Sequence, residues 1–325
     1  MKVKFFSPDK GYAKIRDEVL AEIDRVLSAG DLVLRDDVEK FEKSLAEYVG
    51  TKYCVALNSG TDALYLSLKA LGIGSGHRVA VPSYTFVATA QVVKQVGAEI
   101  QQYDLDGTFE NVDCIIIAHL EGKVQPFYIK SKPVIEDACQ ALGALKNPIS
   151  DVQCWSFYPA KTLGSYGDAG AITTNNKKIY EYIREARNHF KDTNEQWGIN
   201  SRCDNIQAAI LNVKFKYLPQ VLKIRQNIAD MYYEGLRGIM GLELPEKQKG
   251  RVYQDFIIRT EKRDLLYNYL KEHGIETLKN NYPWPIPKLP QAVKYESETL
   301  RIPCNCELTE EEVLYIIEKI KEFFL

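Results

Sequence analysis

The chain has 325 residues, with 42 lysines and arginines against 44 aspartates and glutamates, and a formal net charge of −2 at pH 7. This balance argues against nucleic-acid binding and polybasic membrane attachment, because both depend on clustered positive charge. An apolar fraction of 45% over this length predicts a globular protein of about two domains. The seven cysteines are scattered and odd in number, which indicates reduced thiols in a cytoplasmic protein and no metal site.

From residue 51 to residue 174, short apolar runs alternate with helical patterns. This alternation predicts an α/β domain with a largely parallel sheet. Leu64, Leu68 and Leu71 recur at helical spacing and predict a helix over 61–71. Buried strands are predicted at residues 54–57, 78–81, 114–118, 133–136 and 154–157.

The pattern changes in the last third of the chain, after a long helical stretch that contains Pro219. A strand is predicted over 252–258, a helix over 263–273, and a final helix that begins with a capping box at Thr309. We therefore predict a large domain over residues 1–220 and a smaller α+β domain over residues 221–325. The sequence of the smaller domain shows no catalytic group of its own.

Two stretches that follow predicted strands have binding chemistry. The motif Asn-Ser-Gly-Thr-Asp-Ala around Gly60 joins a strand to a helix, and a helix N-terminus that starts with glycine can bind phosphate. Plain capping of the helix by Ser59 or Thr61 explains the same motif. At the end of the next strand, Phe86 is the first candidate to stack on a flat ring and Tyr84 the second, with core packing as the alternative.

A glycine-rich stretch over 72–76 resembles the fingerprint of a dinucleotide-binding turn. It follows a predicted helix and precedes a predicted strand, which is the reverse of the order that this fingerprint requires. The stretch is therefore interpreted as a helix end and a turn, and a nicotinamide cofactor is not predicted.

Asp137 and Lys161 form the pair on which the chemistry depends. Asp137 ends a predicted strand, and a carboxylate beside a pyridine nitrogen favours the protonated ring. Lys161 lies on a glycine-rich turn after the next strand, where its amine can form an imine and Ser156 can bind phosphate. A pyridoxal phosphate enzyme needs both a Schiff-base lysine and a carboxylate partner for the ring nitrogen. Taken singly, Asp137 is also explained as a helix cap and Lys161 as surface charge.

The order of these motifs resembles the DegT/DnrJ/EryC1/StrS family of pyridoxal phosphate-dependent sugar aminotransferases. The resemblance runs from about residue 31 to residue 211 and returns more weakly towards the C-terminus. Its other motifs are Pro-Ser-Tyr-Thr-Phe-Val-Ala-Thr, Ile-Glu-Asp-Ala-Cys-Gln, Ser-Phe-Tyr-Pro-Ala-Lys and Asn-Ser-Arg. It implies the fold-type I architecture, in which a large domain has a mostly parallel mixed sheet flanked by helices and a smaller C-terminal domain is α+β.

The resemblance also implies a role for each matching residue. Lys161 would bind the cofactor covalently and move protons between the donor and the cofactor, while Asp137 would pair with the ring nitrogen. The other cofactor contacts would be Gly60, Thr61 and Ser156 on the phosphate, Phe86 stacked on the ring, Gln140 beside the ring hydroxyl, and Asn200 on the phosphate from the other subunit of a homodimer.

Family members transfer an amino group, usually from L-glutamate, to a keto group of a nucleotide-linked sugar. The lysine motif resembles that of members acting at sugar C3, and the resemblance implies a role in cell-surface glycan or related sugar biosynthesis. Two alternatives stay open. The first is a non-catalytic regulatory homologue that binds pyridoxal phosphate, and the second is a pyridoxal phosphate-dependent sugar dehydratase, although relatives of that kind carry His at the position of Lys161.

The chain departs from the family pattern around Glu121, Gln254 and Trp284. Where the family often has His-Leu-Tyr-Gly-Gln, this chain has His-Leu-Glu-Gly-Lys at 119–123. The common Val-Tyr-His-Gln is replaced by Val-Tyr-Gln-Asp at 252–255, and no His follows the later Tyr-Pro-Trp. We expect these stretches to contact the substrate.

Overall fold

The structure is a computed structural model that describes residues 1–127, 131–193 and 196–325. The helices are α1 (Pro8–Ala29), α2 (Asp36–Val49), α3 (Gly60–Ala70), α4 (Val87–Gln95), α5 (Lys177–Ala186), α6 (Asn205–Leu236), α7 (Arg263–Glu272), α8 (Pro290–Glu298) and α9 (Glu310–Phe324). The strands are β1 (Tyr53–Leu57), β2 (Arg78–Pro82), β3 (Glu99–Tyr103), β4 (Cys114–Ala118), β5 (Val134–Asp137), β6 (Val152–Ser156), β7 (Gly170–Thr174), β8 (Phe256–Arg259), β9 (Leu278–Lys279) and β10 (Thr299–Ile302).

Strands β1 to β7 form one mixed, mostly parallel sheet in the order β1-β7-β6-β5-β4-β2-β3. Strand β7 is antiparallel to both β1 and β6, and the other neighbours are parallel. The five predicted strands are confirmed, with bounds shifted by at most two residues. Their continuous apolar runs are buried because helices cover both faces of the sheet.

The direction of the strands determines where functional side chains can meet. Because β1 and β6 both run antiparallel to β7, they run parallel to each other and to β5, β4 and β2. The carboxyl ends of these five strands therefore lie at the same edge of the sheet. That edge is where open α/β sheets bind their ligands.

The last third of the chain forms a second, antiparallel sheet in the order β8-β10-β9. Helices α6, α7 and α9 pack on it through a separate apolar core. The final helix has the predicted capping box between Thr309 and Glu312. The predicted strand over 252–258 is wrong at its start. Strand β8 begins only at Phe256, and residues 252–255 precede the sheet, with the side-chain oxygen of Gln254 accepting from the backbone N–H of Thr162 at 2.9 Å.

The predicted domain boundary at residue 220 lies inside helix α6. This helix runs from Asn205 to Leu236 with Pro219 in its interior and packs on α1 and α2 as well as on α9. The division into residues 1–220 and 221–325 stays a prediction. Among the described residues, no helix combines the length and the apolar character needed to cross a membrane.

Candidate active site

A cavity of about 480 Å³ opens at the carboxyl edge of the large sheet. Seven of the eight predicted site residues line it, each at the carboxyl end of a strand of this edge or in the segment that follows it. We call these residues the cofactor wall: Gly60, Thr61, Phe86, Asp137, Gln140, Ser156 and Lys161. The structure thus brings together residues that lie as far apart in the sequence as Gly60 and Lys161.

The turn between β1 and α3 has the geometry of an anion site. Ser59 caps the helix by accepting a hydrogen bond from the backbone N–H of Asp62 at 3.1 Å, so the capping hypothesis holds for Ser59. The first N–H groups of a helix have no carbonyl partner within it, and they belong here to Gly60 and Thr61. A Cβ on Gly60 would lie 2.9 Å from the Cβ of Ser156, so only glycine lets these two segments approach this closely.

The carboxylate of Asp137 is held at the end of β5 by two hydrogen bonds. Thr89 Oγ1 donates to Oδ2 at 2.8 Å, and the backbone N–H of Cys139 donates to Oδ1 at 3.2 Å. The neighbouring Glu136 points to the other face of the sheet, where it pairs with Nε2 of the buried His119 at 2.9 Å. Asp137 lines the cavity and Glu136 is not among its described lining residues, so the choice of Asp137 as the partner of a ring nitrogen stays a prediction that the geometry allows.

Lys161 lies on a tight turn after β6, where its backbone N–H donates to the carbonyl oxygen of Tyr158 at 2.8 Å. Gly164 closes this turn, since a Cβ there would lie 2.2 Å from the carbonyl oxygen of Pro159. The side chain of Lys161 is half-buried and reaches the cavity, so the surface-charge alternative does not hold.

The structure separates the two aromatic candidates. Phe86 is 54% exposed and lines the cavity, with its ring edge-on to Tyr282 at a centroid distance of 6.1 Å. Tyr84 is 7% exposed and packs against Tyr282 and Tyr295, so the core-packing alternative holds for it. Phe86 therefore remains the ring-stacking candidate.

Asn200 is the predicted site residue that does not line this cavity. It is exposed and forms an isolated bridge with Asn188. Its neighbour Ser201 is bound to the first turn of α3, because Ser201 Oγ donates to Asp62 at 2.7 Å. The contact of Asn200 with a site in another subunit stays a prediction.

The last third of the chain supplies the opposite side of the cavity. The residues of this side are not predicted together from the sequence. We call this side the C-terminal wall: Arg225, Gln254, Asp255, Tyr282 and Arg301. The stretches expected to contact substrate do contribute Gln254 and Tyr282, whereas Arg225 and Arg301 lie in no motif. Glu121 and Trp284 are not among the described residues that line the cavity.

Arg301 is the centre of the C-terminal wall. Its Nη1 donates to Asp255 at 3.1 Å, and its Nε and Nη2 donate to the side-chain oxygen of Asn280 at 2.9 and 2.7 Å. It also bonds to the hydroxyl of Tyr282, whose pKa is raised to about 12 by burial. Arg225 braces the same wall by donating to the carbonyl oxygens of Tyr253, Gln254 and Cys304.

The residues present fit pyridoxal phosphate. The turn at Gly60 offers free N–H groups and a close approach for the phosphate, and Asp137 offers a fixed carboxylate for the ring nitrogen. Lys161 offers the amine, and the exposed ring of Phe86 offers a flat surface. All four groups face a single cavity, as the cofactor requires.

Comparisons with known proteins identify the family to which this chain is similar. The model of the DegT/DnrJ/EryC1/StrS aminotransferase family matches residues 13–128 and 128–321. The UDP-2-acetamido-2-deoxy-3-oxo-D-glucuronate aminotransferase of Pseudomonas aeruginosa is 36% identical over 89% of this chain and 88% of its own. A protein of Geobacillus stearothermophilus named pleiotropic regulatory protein is 33% identical over 100% of this chain and 99% of its own.

Two solved structures are similar over nearly the whole chain. Streptomyces venezuelae DesV in complex with a ketimine intermediate superposes with a TM-score of 0.91 at 30% identity, covering 99% of this chain and 98% of DesV. NtdA of Bacillus subtilis with bound cofactor PMP gives 0.86 at 27% identity, covering 98% of this chain and 85% of NtdA.

Proposed function

The chain belongs to the DegT/DnrJ/EryC1/StrS aminotransferase family and is a pyridoxal phosphate-dependent aminotransferase of fold type I, and we propose that it transfers the amino group of L-glutamate to a keto group of a nucleotide-linked sugar. The observation that carries this proposal is that Lys161 and Asp137 share one cavity with the turn at Gly60. When bound, pyridoxal phosphate supplies the electron sink for a carbanion at the donor carbon.

Each residue of the cofactor wall has its own role in the proposed reaction. In this proposal Lys161 would hold the cofactor and would serve as the general base for the proton of the donor Cα, because its amine reaches the cavity. Asp137 keeps a proton on the ring nitrogen through charge pairing, and Thr89 holds that carboxylate in place. Gly60, Thr61 and Ser156 would bind the phosphate, Phe86 would stack on the ring and Gln140 would lie beside the ring hydroxyl.

The acceptor is proposed to contact the C-terminal wall. Arg301, Asp255 and Tyr282 offer both donors and acceptors, which suits the hydroxyl and keto groups of a sugar. The name of the Pseudomonas relative specifies a 3-oxo sugar, and this supports amination at C3 in this chain as well. The product would serve cell-surface glycan or related sugar biosynthesis.

The active unit is proposed to be a homodimer in which each subunit completes the other's site with Asn200. Its exposure and its absence from the cavity of its own described chain support this role. Coexpressed Lys161→Ala and Asn200→Ala chains should regain activity, because each heterodimer contains one site with both native residues. Two inactive parents whose mixture also stays inactive would argue against a shared site.

The seven cysteines support a cytoplasmic location. All of them are unpaired, and burial raises the pKa of every one of these thiols. Unpaired thiols persist in compartments kept reducing by glutathione and thioredoxin. We propose the cytoplasm as that compartment.

The test of the function separates its two half-reactions. The purified protein should be yellow with bound cofactor, and L-glutamate alone should bleach this colour as the cofactor accepts the amino group. D-glutamate serves as the matched control and should leave the colour unchanged. A screen of keto-sugar nucleotides should then restore the colour, and the one that does so identifies the acceptor.

A regulatory homologue is the second candidate, and the relative named pleiotropic regulatory protein supports it. Such a protein would bind pyridoxal phosphate and stay yellow with every amino donor. A protein that remains yellow through a panel of L-amino acids would therefore overturn the aminotransferase proposal and favour this candidate.

A further inference from the structure

Glu121 is held in an unusual conformation directly behind the active site. It follows β4 in a short 3₁₀ turn, Leu120–Gly122, with φ 60° and ψ 20°. This is the left-handed region, which costs free energy for any residue with a Cβ and is rare outside glycine and asparagine. The side chain is also a carboxylate that is only 8% exposed, so two unfavourable features coincide.

The carboxylate of Glu121 is contacted by side chains from both halves of the chain, and we call this set of contacts the Glu121 hub. Tyr84 donates to Oε1 at 2.8 Å, and Tyr295 donates to the same oxygen at 3.3 Å. Arg251 lies 3.6 Å from Oε2 and donates to the main-chain oxygen of Glu121 at 3.3 Å. Tyr295 and Arg251 belong to the last third of the chain, so this hub fixes the turn from both sides.

The backbone of the same residue reaches the cofactor wall. The N–H of Glu121 donates to Oε1 of Gln140 at 2.8 Å. Because an N–H can only donate, the amide of Gln140 must turn its oxygen towards Glu121 and its NH₂ group away from it. Gln140 lines the cavity, whereas Glu121 is not among the described lining residues.

We propose that Glu121 is a positioning residue that sets the orientation of the Gln140 amide. Its carboxylate keeps the turn in the left-handed conformation, and the turn aims the N–H at Gln140. The amide NH₂ of Gln140, which also hydrogen-bonds to the hydroxyl of Tyr282 on the cavity wall, is thereby presented to the cofactor's ring hydroxyl. This inference rests on the cofactor placement of the proposed function, and it joins the C-terminal third to the cofactor through Tyr295 and Arg251.

A purely structural role is the competing explanation, in which Glu121 only fastens the two halves together. The two explanations differ in what happens at the cofactor. If Glu121 is only structural, replacing it changes the stability of the protein alone. If Glu121 positions Gln140, replacing it also changes the affinity for pyridoxal phosphate and the apparent pKa at which the absorbance of the bound cofactor changes.

The experiment is a double-mutant cycle read out by the dissociation constant of pyridoxal phosphate. Glu121→Ala should weaken cofactor binding by about tenfold, the loss expected for one misaligned hydrogen bond. Gln140→Leu should give a similar loss, and the double variant should lose no more than either single one, because Glu121→Ala misaligns the N–H that holds the Gln140 amide and Gln140→Leu removes the amide itself. The apparent pKa of the cofactor's absorbance should shift equally in all three.

Tyr295→Phe provides a mild variant in case Glu121→Ala fails to fold. It removes one hydroxyl from the hub and should weaken cofactor binding by about two- to threefold. Glu246→Gln is the matched control, because Glu246 is an exposed glutamate that pairs with Lys123 at 2.9 Å. It should leave the dissociation constant unchanged.

Two results would overturn the inference. One is a set of variants that unfold at lower temperature without their cofactor but bind it as tightly as the native protein. The other is full additivity of Glu121→Ala and Gln140→Leu in the cycle. The cycle measures cofactor binding and needs no turnover, so it tests the role of Glu121 independently of the reaction. If L-glutamate fails to bleach the native protein, only the proposed function is contradicted.

Discussion

The two walls of the active-site cavity are built in different ways. Each residue of the cofactor wall lies within a few positions of the carboxyl end of a strand in one sheet. The residues of the C-terminal wall come instead from a helix, a small antiparallel sheet and the segments between them. Arg301, for example, is held by partners 19, 21 and 46 positions away in the chain.

This difference explains why the residues of one wall can be predicted from the sequence and those of the other cannot. A strand followed by a turn is a local pattern, so the residue that it places at the sheet edge can be identified from sequence. A wall assembled from distant segments depends on tertiary packing, which local patterns do not contain. The local wall fixes the reaction type in our proposal, and the distant wall fixes the acceptor.

Replacing Lys161 should have the largest effect of any single change. Lys161→Ala should lower turnover by at least about a thousandfold, because it removes the general base and the imine-forming amine together. Mass spectrometry after borohydride reduction should show cofactor attached to the native protein and none attached to the variant.

Lys178→Ala is the control for this experiment, since Lys178 is an exposed lysine at the start of α5. It should keep both turnover and the covalent adduct. A reduced adduct that persists in Lys161→Ala would place the imine on another lysine and remove the basis of the cofactor wall.

Asp137→Asn should have the next largest effect. The amide keeps the shape but loses the charge that holds a proton on the ring nitrogen, and turnover should fall by about a hundredfold to a thousandfold. Asp168→Asn is the matched control, because Asp168 lines the same cavity from the glycine-rich turn and has no proposed partner on the ring. Equal losses in both variants would mean that the cavity needs negative charge in general and no particular carboxylate.

The extent of sequence-based prediction follows the same division. The strand ends at Asp137 and Ser156 and the turn at Gly60 were predicted because apolar runs and glycines mark them locally. Arg301 was not predicted, since its neighbours in sequence form an ordinary central strand of a three-stranded sheet. Gln254 was expected to contact substrate only because its stretch departs from the family pattern, and its contact with Thr162 joins segments 92 positions apart, which no local pattern contains.

Arg301→Lys should have a smaller effect, and this effect should fall on the reaction with the keto sugar alone. Lysine keeps the charge but cannot make the forked contacts to Asp255 and Asn280, so the KM for the keto sugar should rise by about tenfold. Bleaching by L-glutamate should proceed at the native rate, because the cofactor wall is untouched.

Arg259→Lys is the matched control for the C-terminal wall. Arg259 lies on the neighbouring strand β8 and pairs with Glu298 at 2.6 Å, away from the cavity. It should change neither half-reaction. A slower glutamate step in Arg301→Lys would show that the C-terminal wall also serves the donor, and the division of labour between the walls would then be wrong.

Lys214 belongs to neither wall and should show the smallest effect, on stability alone. It lines a second cavity of about 300 Å³ with its ammonium 4.4 Å from the ring of Tyr166, and burial lowers its pKa from 10.5 to about 8. At pH 7 the lysine is charged in both the folded and the unfolded chain, so its burial opposes folding. Lys214→Met should therefore raise the free energy of unfolding at pH 7 by about 1 kcal/mol.

The advantage of the Lys214→Met variant should shrink as the pH rises from 8 towards 10.5. Over that range the folded native protein has released the proton of Lys214 while the unfolded chain still binds it, so the native protein gains stability with pH. Denaturation at pH 7 and pH 9.5 measures the difference, with Lys216→Met on the exposed side of the same helix as the control. A gap that stays constant with pH would mean that the substitution acts through packing, whereas a gap that closes assigns it to the buried charge.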